Sequence, residues 1–208
     1  MPLNLIIFPV RCAVVSVAAM PLILSVGYIG VRSQPVATAN TLQLAASPTT
    51  NATKRVSLVG GRVSFVPPAG FTAMTGQEIA LKFPNRGGNP PKYVYANQRR
   101  NVGVAITFSS ARLSPKQLPE LKNAMSKFLE QAMLNIKWIT QGFVQINSLR
   151  WVQLEFISRA IDTNIHNDTY FTSFDGKMLG FNFNSTVEQY GAHKAELLKS
   201  RDSIIIKK

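Results

Sequence analysis

The sequence predicts an α+β fold, in which an antiparallel β-sheet packs against helices. Strand-like segments occur in runs, and helical segments are inserted between these runs instead of alternating with the strands one for one. Two tight turns, Gly60-Gly61 and Asp175-Gly176, each join neighbouring strand-like segments as a hairpin. Strands joined by such short turns run antiparallel, which is why we expect an antiparallel sheet.

The N-terminal part of the chain is predicted to direct export. Residues 12–31 form an uncharged apolar run of about 20 residues, the length that crosses a bilayer. Ala37-Thr38-Ala39 follows with the small-x-small pattern of signal peptidase sites, which predicts cleavage before Asn40. The length of the run also favours an uncleaved anchor in the inner membrane. Residues 1–39 are therefore interpreted as either a signal peptide or a membrane anchor.

Residues 40–54 are predicted to be a flexible linker, because this stretch is polar and rich in Ser, Thr and Ala. Residues 55–208 are predicted to form a single α+β domain, since about 155 residues is an ordinary domain size. The single cysteine, Cys12, lies in the apolar run, so the predicted domain has no thiol for a disulfide or a metal site. Arg11 precedes Cys12, which argues against lipid attachment there.

Strands are predicted wherever apolar and polar residues alternate or β-branched and aromatic residues cluster. In the last of them, Leu179, Phe181 and Phe183 alternate with Gly180, Asn182 and Asn184, which predicts one buried face and one polar face. Pro67-Pro68 ends the second strand, because proline cannot donate to a sheet ladder. The predicted strands cover residues 56–59, 62–66, 93–95, 102–108, 143–146, 151–157, 170–174 and 178–183.

Three helices are predicted from capping boxes, in which a hydroxyl residue and a Glu or Gln three positions later bind the first free amides. These pairs are Thr75 with Glu78, Ser114 with Gln117, and Ser185 with Glu188. The middle pair precedes the clearest amphipathic helix, whose apolar residues recur at spacings of three and four. This apolar stripe, interpreted as core packing, consists of Leu118, Leu121, Met125, Phe128 and Ala132.

The order of these elements resembles the PsbP-like superfamily over residues 54–207. The resemblance also uses Pro-Pro-Ala-Gly-Phe at residues 67–71 and Phe-Asp-Gly-Lys at residues 174–177. It implies a sheet packed against helices and non-catalytic binding or assembly work, usually outside the cytoplasm. It supplies no catalytic residue to carry over, and the lipid-attachment cysteine of the lipoprotein members is missing here.

Positive charge is concentrated in one stretch of a chain whose net charge is +13. Between Glu78 and Glu120 there is no acidic residue, but there are seven basic ones. We expect a contact face there for an unknown acidic protein or an anionic lipid; nucleic acid is not expected, because export removes it from reach. A solvated surface without a specific partner is the alternative. The candidate contact residues are Arg86, Lys92, Arg99, Arg100 and Arg112.

Candidate catalytic residues are few, because His166 and His193 are the only histidines and neither lies in a nucleophile or zinc motif. Asp162, His166 and Asp168 form a weak candidate metal site, whose spacing does not match a calcium loop. A polar connection between strands is the preferred interpretation of this segment. No cofactor is expected.

The predicted function is therefore that of a non-enzymatic exported envelope protein, periplasmic or anchored, that binds a protein or lipid ligand as an adaptor or assembly factor. A general binder of anionic polymers is the alternative, and a metal-dependent enzyme is a more distant one.

Overall fold

The computed structural model describes residues 54–83, 90–133, 135–160 and 163–207. The predicted export segment at residues 12–31, the contact residue Arg86 and the candidate metal ligand Asp162 lie outside these ranges. No helix within the described ranges is long and apolar enough to cross a membrane.

The described part of the chain contains ten strands and three α-helices, which confirms the predicted α+β class. The strands are β1 Val56–Leu58, β2 Val63–Phe65, β3 Thr72–Ala73, β4 Tyr93–Ala96, β5 Val102–Arg112, β6 Lys137–Ile146, β7 Leu149–Arg159, β8 Asn164–Phe174, β9 Lys177–Thr186 and β10 Ile205–Ile206. The helices are α1 Gly76–Lys82, α2 Leu118–Ala132 and α3 Val187–Asp202, and a 3₁₀ turn at Pro115–Gln117 leads into α2.

Among the described residues, all strand pairings are antiparallel, as the sequence predicts. The main sheet has the order β3-β4-β5-β9-β8-β7-β6, and a small sheet has the order β1-β2-β10. The hairpin between β8 and β9 turns at Asp175 and Gly176, which have φ angles of 52° and 68°. Positive φ at both residues matches the right-handed twist of the strands, so the predicted hairpin is confirmed.

The two faces of the main sheet are covered by different elements. On one face, called here the α3 face, α3 and the small sheet enclose an aromatic core. On the other face, called here the α1/α2 face, α1 packs over β4 and β5 while α2 packs over β6 and β7. The core of the α3 face includes Phe65, Val104, Ile106, Trp151, Tyr170, Leu179, Phe181 and Phe183.

Two of the three predicted capping boxes are confirmed. The Thr75 side chain accepts from the Glu78 amide, and Glu78 accepts from the Thr75 amide, at the start of α1. Gln117 Oε1 accepts from the Ser114 amide before the 3₁₀ turn. The third prediction is wrong: Ser185 stays in β9, and Thr186 is the N-cap of α3. Ser185 pairs with both Val102 and His166, and this sheet pairing outweighs the local capping signal.

The preferred interpretation of residues 162–168 as a polar connection is wrong for the described residues from Asn164 onward. Residues from Asn164 onward belong to β8, which pairs with β7 and β9 along its length. The start of this strand is not recognisable from the sequence, because its first residues are mostly polar. In the structure most of these polar side chains are buried beside polar partners and do not face water.

Candidate ligand cavity

A cavity of about 110 Å³ lies on the α1/α2 face, above the centre of the main sheet. It exists because α1 covers the β4 and β5 side and α2 covers the β7 and β6 side, which leaves the strip formed by β5, β9 and β8 between them. The fold therefore produces a recess between two helices with a sheet as its floor.

The walls of the cavity are apolar. Helix α2 contributes Met125 and Leu129, and Met133 follows directly after it. Phe83, at the C-cap of α1, lies on the opposite side. Flexible methionine side chains adapt to the shape of what they contact. This wall can therefore adjust its shape to a bound ligand. The sheet adds Phe156, Phe171 and Met178.

The floor of the cavity is a row of polar side chains joined by hydrogen bonds. Thr169 Oγ1 donates to Asn182 Oδ1 at 3.1 Å, and Asn182 Nδ2 donates to Asn167 Oδ1 at 3.4 Å. Asn167 Nδ2 in turn donates to Ser158 Oγ at 3.0 Å. The register places Thr169 opposite Asn182 and Asn167 opposite Asn184, so neighbouring strands supply the row. Thr107, from β5, also lines the floor.

Gly180 makes room for the Phe171 ring at the edge of the floor. Its neighbour across β8 is Phe171, whose ring lies so close that a Cβ added at Gly180 would be 3.1 Å from Phe171 Cε1. A side chain at this position would require the Phe171 ring to move. The pattern of Gly180, Asn182 and Asn184, predicted from the sequence to be a polar face, is in fact the cavity side of β9.

The structure separates the candidate basic residues along β5. Arg99 is exposed in the turn between β4 and β5, whereas Arg112 is exposed at the far end of β5. An 11-residue strand places these ends about 33 Å apart at roughly 3.3 Å per residue. Lys92 is exposed just before β4, with its Nζ 5.6 Å from the centre of the Tyr93 ring.

Arg100 and Lys82 are held by internal contacts. Arg100 Nη2 lies 2.9 Å from Glu78 Oε1, and Arg100 Nη1 donates to Thr72 Oγ1 at 2.9 Å. Lys82 Nζ donates to the Arg100 carbonyl oxygen. Burial, helped by the Arg100 charge, lowers the pKa of Lys82 to about 8. These two residues fasten α1 to the β4–β5 turn, so they are less accessible to a partner than Arg99.

A second polar cluster lies on the α3 face, between β7, β8 and α3. His166 Nε2 lies 3.1 Å from Glu155 Oε1, and the His166 ring stacks on the Tyr190 ring at 3.4 Å between centroids. The Tyr190 hydroxyl donates to Glu155 Oε1 at 3.3 Å. Glu155 also accepts from Thr140 Oγ1 at 3.0 Å. The two Tyr190 contacts attach α3 to the sheet, and the Thr140 bond joins β6 to β7.

The cluster continues to Asp168, which follows His166 by two residues in β8 and is the strand partner of Glu155 in β7. The Tyr170 hydroxyl donates to Asp168 Oδ2 at 2.5 Å, and Arg201 Nη1 donates to the Tyr170 hydroxyl oxygen at 3.1 Å. Burial raises the pKa of Asp168, against the opposing effect of the hydrogen bonds from Tyr170 and Gln153. Burial and the neighbouring Asp168 raise the pKa of Tyr170. Asp168 and Arg201 therefore each have a hydrogen-bond partner within the protein.

The candidate metal ligands His166 and Asp168 both belong to this cluster and share one face of β8. Each is already engaged by protein side chains. The described residues contain no group of three or more His, Cys, Asp or Glu side chains arranged to hold a metal ion.

Lowering the pH below about 6.5, the ordinary pKa of histidine, is expected to destabilise the protein through His166. Burial lowers the pKa of His166, and the Glu155 charge opposes this effect. The unfolded chain therefore takes up the proton first, so the stabilising contribution is complete above pH 6.5 and is lost as the pH falls toward the folded-state pKa. Urea unfolding at pH 7.5, 6.5 and 5.5 measures this, and His166→Gln is expected to reduce the slope. An unchanged slope in the variant would contradict the assignment.

Comparison with known proteins identifies the fold. No protein family matches the sequence, and no curated protein matches it either. The solution structure of the cyanobacterial PsbP protein, CyanoP, from Synechocystis sp. PCC 6803 superimposes with a TM-score of 0.55. The match covers 78% of this chain and 98% of CyanoP. The chain has a PsbP-like fold.

The PsbP-like fold confirms the resemblance inferred from the sequence. A crystal structure from Bacteroides thetaiotaomicron is also similar, with a TM-score of 0.51, 11% identity, and coverage of 74% of this chain and 48% of that one. Identity to CyanoP is 13%. Identities this low establish the architecture alone, so the function has to be argued from this chain's own residues.

Proposed function

We propose that this PsbP-like chain is a non-enzymatic, exported envelope protein that binds a protein or lipid ligand in an adaptor or assembly role. The observation that carries the proposal is the cavity between α1 and α2, with apolar walls and a hydrogen-bonded polar floor. Concave apolar sites with a few convergent polar groups are the usual form of ligand-binding sites. Export is proposed from residues 12–31, which lie outside the described residues.

The side chains at the cavity favour binding over chemistry. The described residues that line it supply apolar contacts, amides and hydroxyls, and none of them is ionisable. Acid–base chemistry needs a titratable group near the reacting atoms. The described acid and histidine cluster around Glu155 and Asp168 lies across the sheet on the α3 face, where α3 covers it.

Filling the cavity is expected to abolish ligand capture. Ala105 lines the cavity and is buried, so Ala105→Leu places three further carbon atoms in the recess. We expect in-cell crosslinking of the tagged full-length protein, followed by mass spectrometry, to recover the ligand with the natural chain and at least about tenfold less with the variant. The loss corresponds to roughly 1.4 kcal/mol of binding free energy or more.

Ala132→Leu is the matched control, because it makes the same change at the exposed end of α2, outside the cavity lining. It is expected to leave capture unchanged. Met133→Trp fills the recess from the helix side and serves as a second test if Ala105→Leu folds poorly through overpacking. Undiminished capture by a folded cavity-filling variant would contradict the proposal.

We also propose that Lys92, Arg99 and Arg112 contribute an accessory contact with an anionic partner, because all three are exposed. Arg99→Glu is expected to weaken capture severalfold at low salt, and to leave stability within about 0.5 kcal/mol, as is usual at exposed positions. Arg100→Glu is expected to lower the thermal midpoint, because it sets two acidic side chains, at positions 78 and 100, against each other. Capture that Arg99→Glu does not change would remove Arg99 from the contact.

Salt dependence separates the alternative function from this one. A general binder of anionic polymers would lose affinity steeply with added salt and would discriminate little between ligands. Capture through the cavity is expected to lose only the severalfold contribution of the accessory basic contact when salt is added, because the described lining carries no charge.

A further inference from the structure

The cavity is small compared with a site for a whole ligand. Its volume is about 110 Å³, whereas pockets for drug-sized molecules usually measure roughly 300–1,000 Å³. A dry protein cavity of about 150 Å³ is known to hold one benzene molecule. The recess is smaller than that closed cavity but opens to solvent on one side, so one ring can enter it in part, and a whole lipid molecule exceeds it.

The charge of the lining restricts the chemistry of that group. Among the described residues at the cavity there is no Asp, Glu, Lys, Arg or His. A charged group that entered would lose its hydration without gaining a counter-charge, which is strongly unfavourable. The group that fits is therefore uncharged.

The floor favours a ring that carries a polar atom. The amides of Asn167 and Asn182 lie along the floor, and the Thr107 hydroxyl has no hydrogen-bond partner within the described residues. The wall contributes Met125 and Met178, whose sulfur atoms make favourable contacts with aromatic rings. A ring with a hydroxyl group can contact the methionine sulfur atoms of the wall and form a hydrogen bond with the floor.

We infer that the cavity receives one uncharged aromatic side chain of a protein partner, with tyrosine preferred over phenylalanine. The inference rests on the proposed function and narrows its ligand from a protein or lipid to a protein with an aromatic anchor. Aromatic side chains that fill a small pocket at the centre of an interface are typical of tight protein–protein contacts. The polar floor supplies the preference for tyrosine.

Side-chain analogues test the inference directly. The probes are p-cresol for tyrosine, toluene for phenylalanine, propionate and n-butylamine for charged side chains, and 1-hexanol for an alkyl chain. Each is titrated into the full chain in lipid nanodiscs, with ¹³C-labelled methionine methyl groups observed by NMR. Met125, Met133 and Met178 line the cavity, and Met74 is a comparison methyl group outside the lining, in the buried cluster that also contains Phe83 and Ala105.

The expected result is saturable shifts of the three cavity methyl groups by p-cresol, with a dissociation constant on the order of 1 mM for a fragment of this size. Toluene is expected to bind roughly 3–10-fold more weakly, since one hydrogen bond is lost. The charged probes are expected to cause no saturable shift, and 1-hexanol is expected to bind more weakly than p-cresol. Met74 is expected to shift less than the three cavity methyl groups, and Ala105→Leu should remove the saturable shifts.

Three outcomes would overturn the inference. Binding of 1-hexanol as tight as that of p-cresol would assign the cavity to alkyl chains, and equal binding of a charged probe would remove the requirement for neutrality. Absence of p-cresol binding, while ligand capture in cells still depends on position 105, would reject the aromatic anchor and leave the proposed function standing. Conversely, p-cresol binding that Ala105→Leu blocks without any effect on capture would contradict the proposed function.

Discussion

Replacing Phe65 by alanine is expected to lower the free energy of unfolding by about 3–5 kcal/mol, the usual cost of removing a buried phenylalanine ring. Phe65 lies in β2 and is 0% exposed. Its ring makes edge-to-face contacts with Tyr95 at 5.3 Å and Phe181 at 5.7 Å between centroids. The variant therefore leaves a void where the small sheet packs on the main sheet. Urea denaturation of both proteins measures the change.

Phe143→Ala is the matched control for this experiment. Phe143 lies in the edge strand β6 and is 37% exposed, with the Arg150 guanidinium 3.9 Å from the centre of its ring. Its removal is expected to cost less than about 1 kcal/mol. Equal losses for the two variants would contradict the packing of the small sheet described here.

Replacing Glu155 by alanine is expected to cost about 2–4 kcal/mol. The carboxylate accepts from Thr140 and Tyr190 and lies 3.1 Å from His166 Nε2. Removing it leaves the buried His166 and the half-buried Thr140 and Tyr190 hydroxyls without this acceptor, at about 1–3 kcal/mol for each group that water cannot reach. Because Tyr190 connects α3 to the sheet through this carboxylate, we also expect faster amide hydrogen exchange in α3, measured by mass spectrometry.

Glu130→Ala provides the comparison, because Glu130 accepts a single exposed hydrogen bond, from Trp138 Nε1 at 3.0 Å. Its loss is expected to cost less than about 1 kcal/mol and to leave exchange in α3 unchanged. A Glu155→Ala variant as stable as Glu130→Ala would mean that the α3 cluster does not hold the helix.

The fold was predictable from the sequence where local signals agree with the final structure. The Asp175-Gly176 hairpin, the capping box of α1 and the amphipathic stripe of α2 each depend on residues close together in the chain. In that stripe only Ala132 departs from the prediction, because it is exposed at the end of the helix. Local signals failed where long-range pairing decides the outcome. Ser185 carries a capping pattern but pairs with strands on both sides, and the polar start of β8 becomes buried only after β7 and β9 assemble around it.

The cavity was not predictable, because its lining is drawn from elements that are distant in sequence. Phe83, Met125 and Asn182 meet only through the strand order of the main sheet. The one sequence signal was the polar side of β9, where Gly180 interrupts an otherwise bulky strand. A glycine in the middle of a strand often marks close approach of another group, which is the Phe171 ring here.

The basic stretch shows why charge counted along a sequence does not define a surface. Arg99 and Arg100 are neighbours in the chain, yet Arg99 is exposed while Arg100 pairs with Glu78. Arg112 lies at the opposite end of β5. Even so, Arg99 remains the best candidate for contact with an anionic partner, because it combines exposure with a position in a turn.

Site-specific photo-crosslinking in cells tests most directly whether the cavity is the binding site. A photoreactive residue replaces Met133 at the cavity wall or, in a second protein, Lys199 on the exposed side of α3. The account predicts one dominant adduct from position 133, absent from position 199 and lost when Ala105→Leu is added. Equal adducts from both positions, or an adduct from position 199 alone, would contradict the assignment of binding to this cavity.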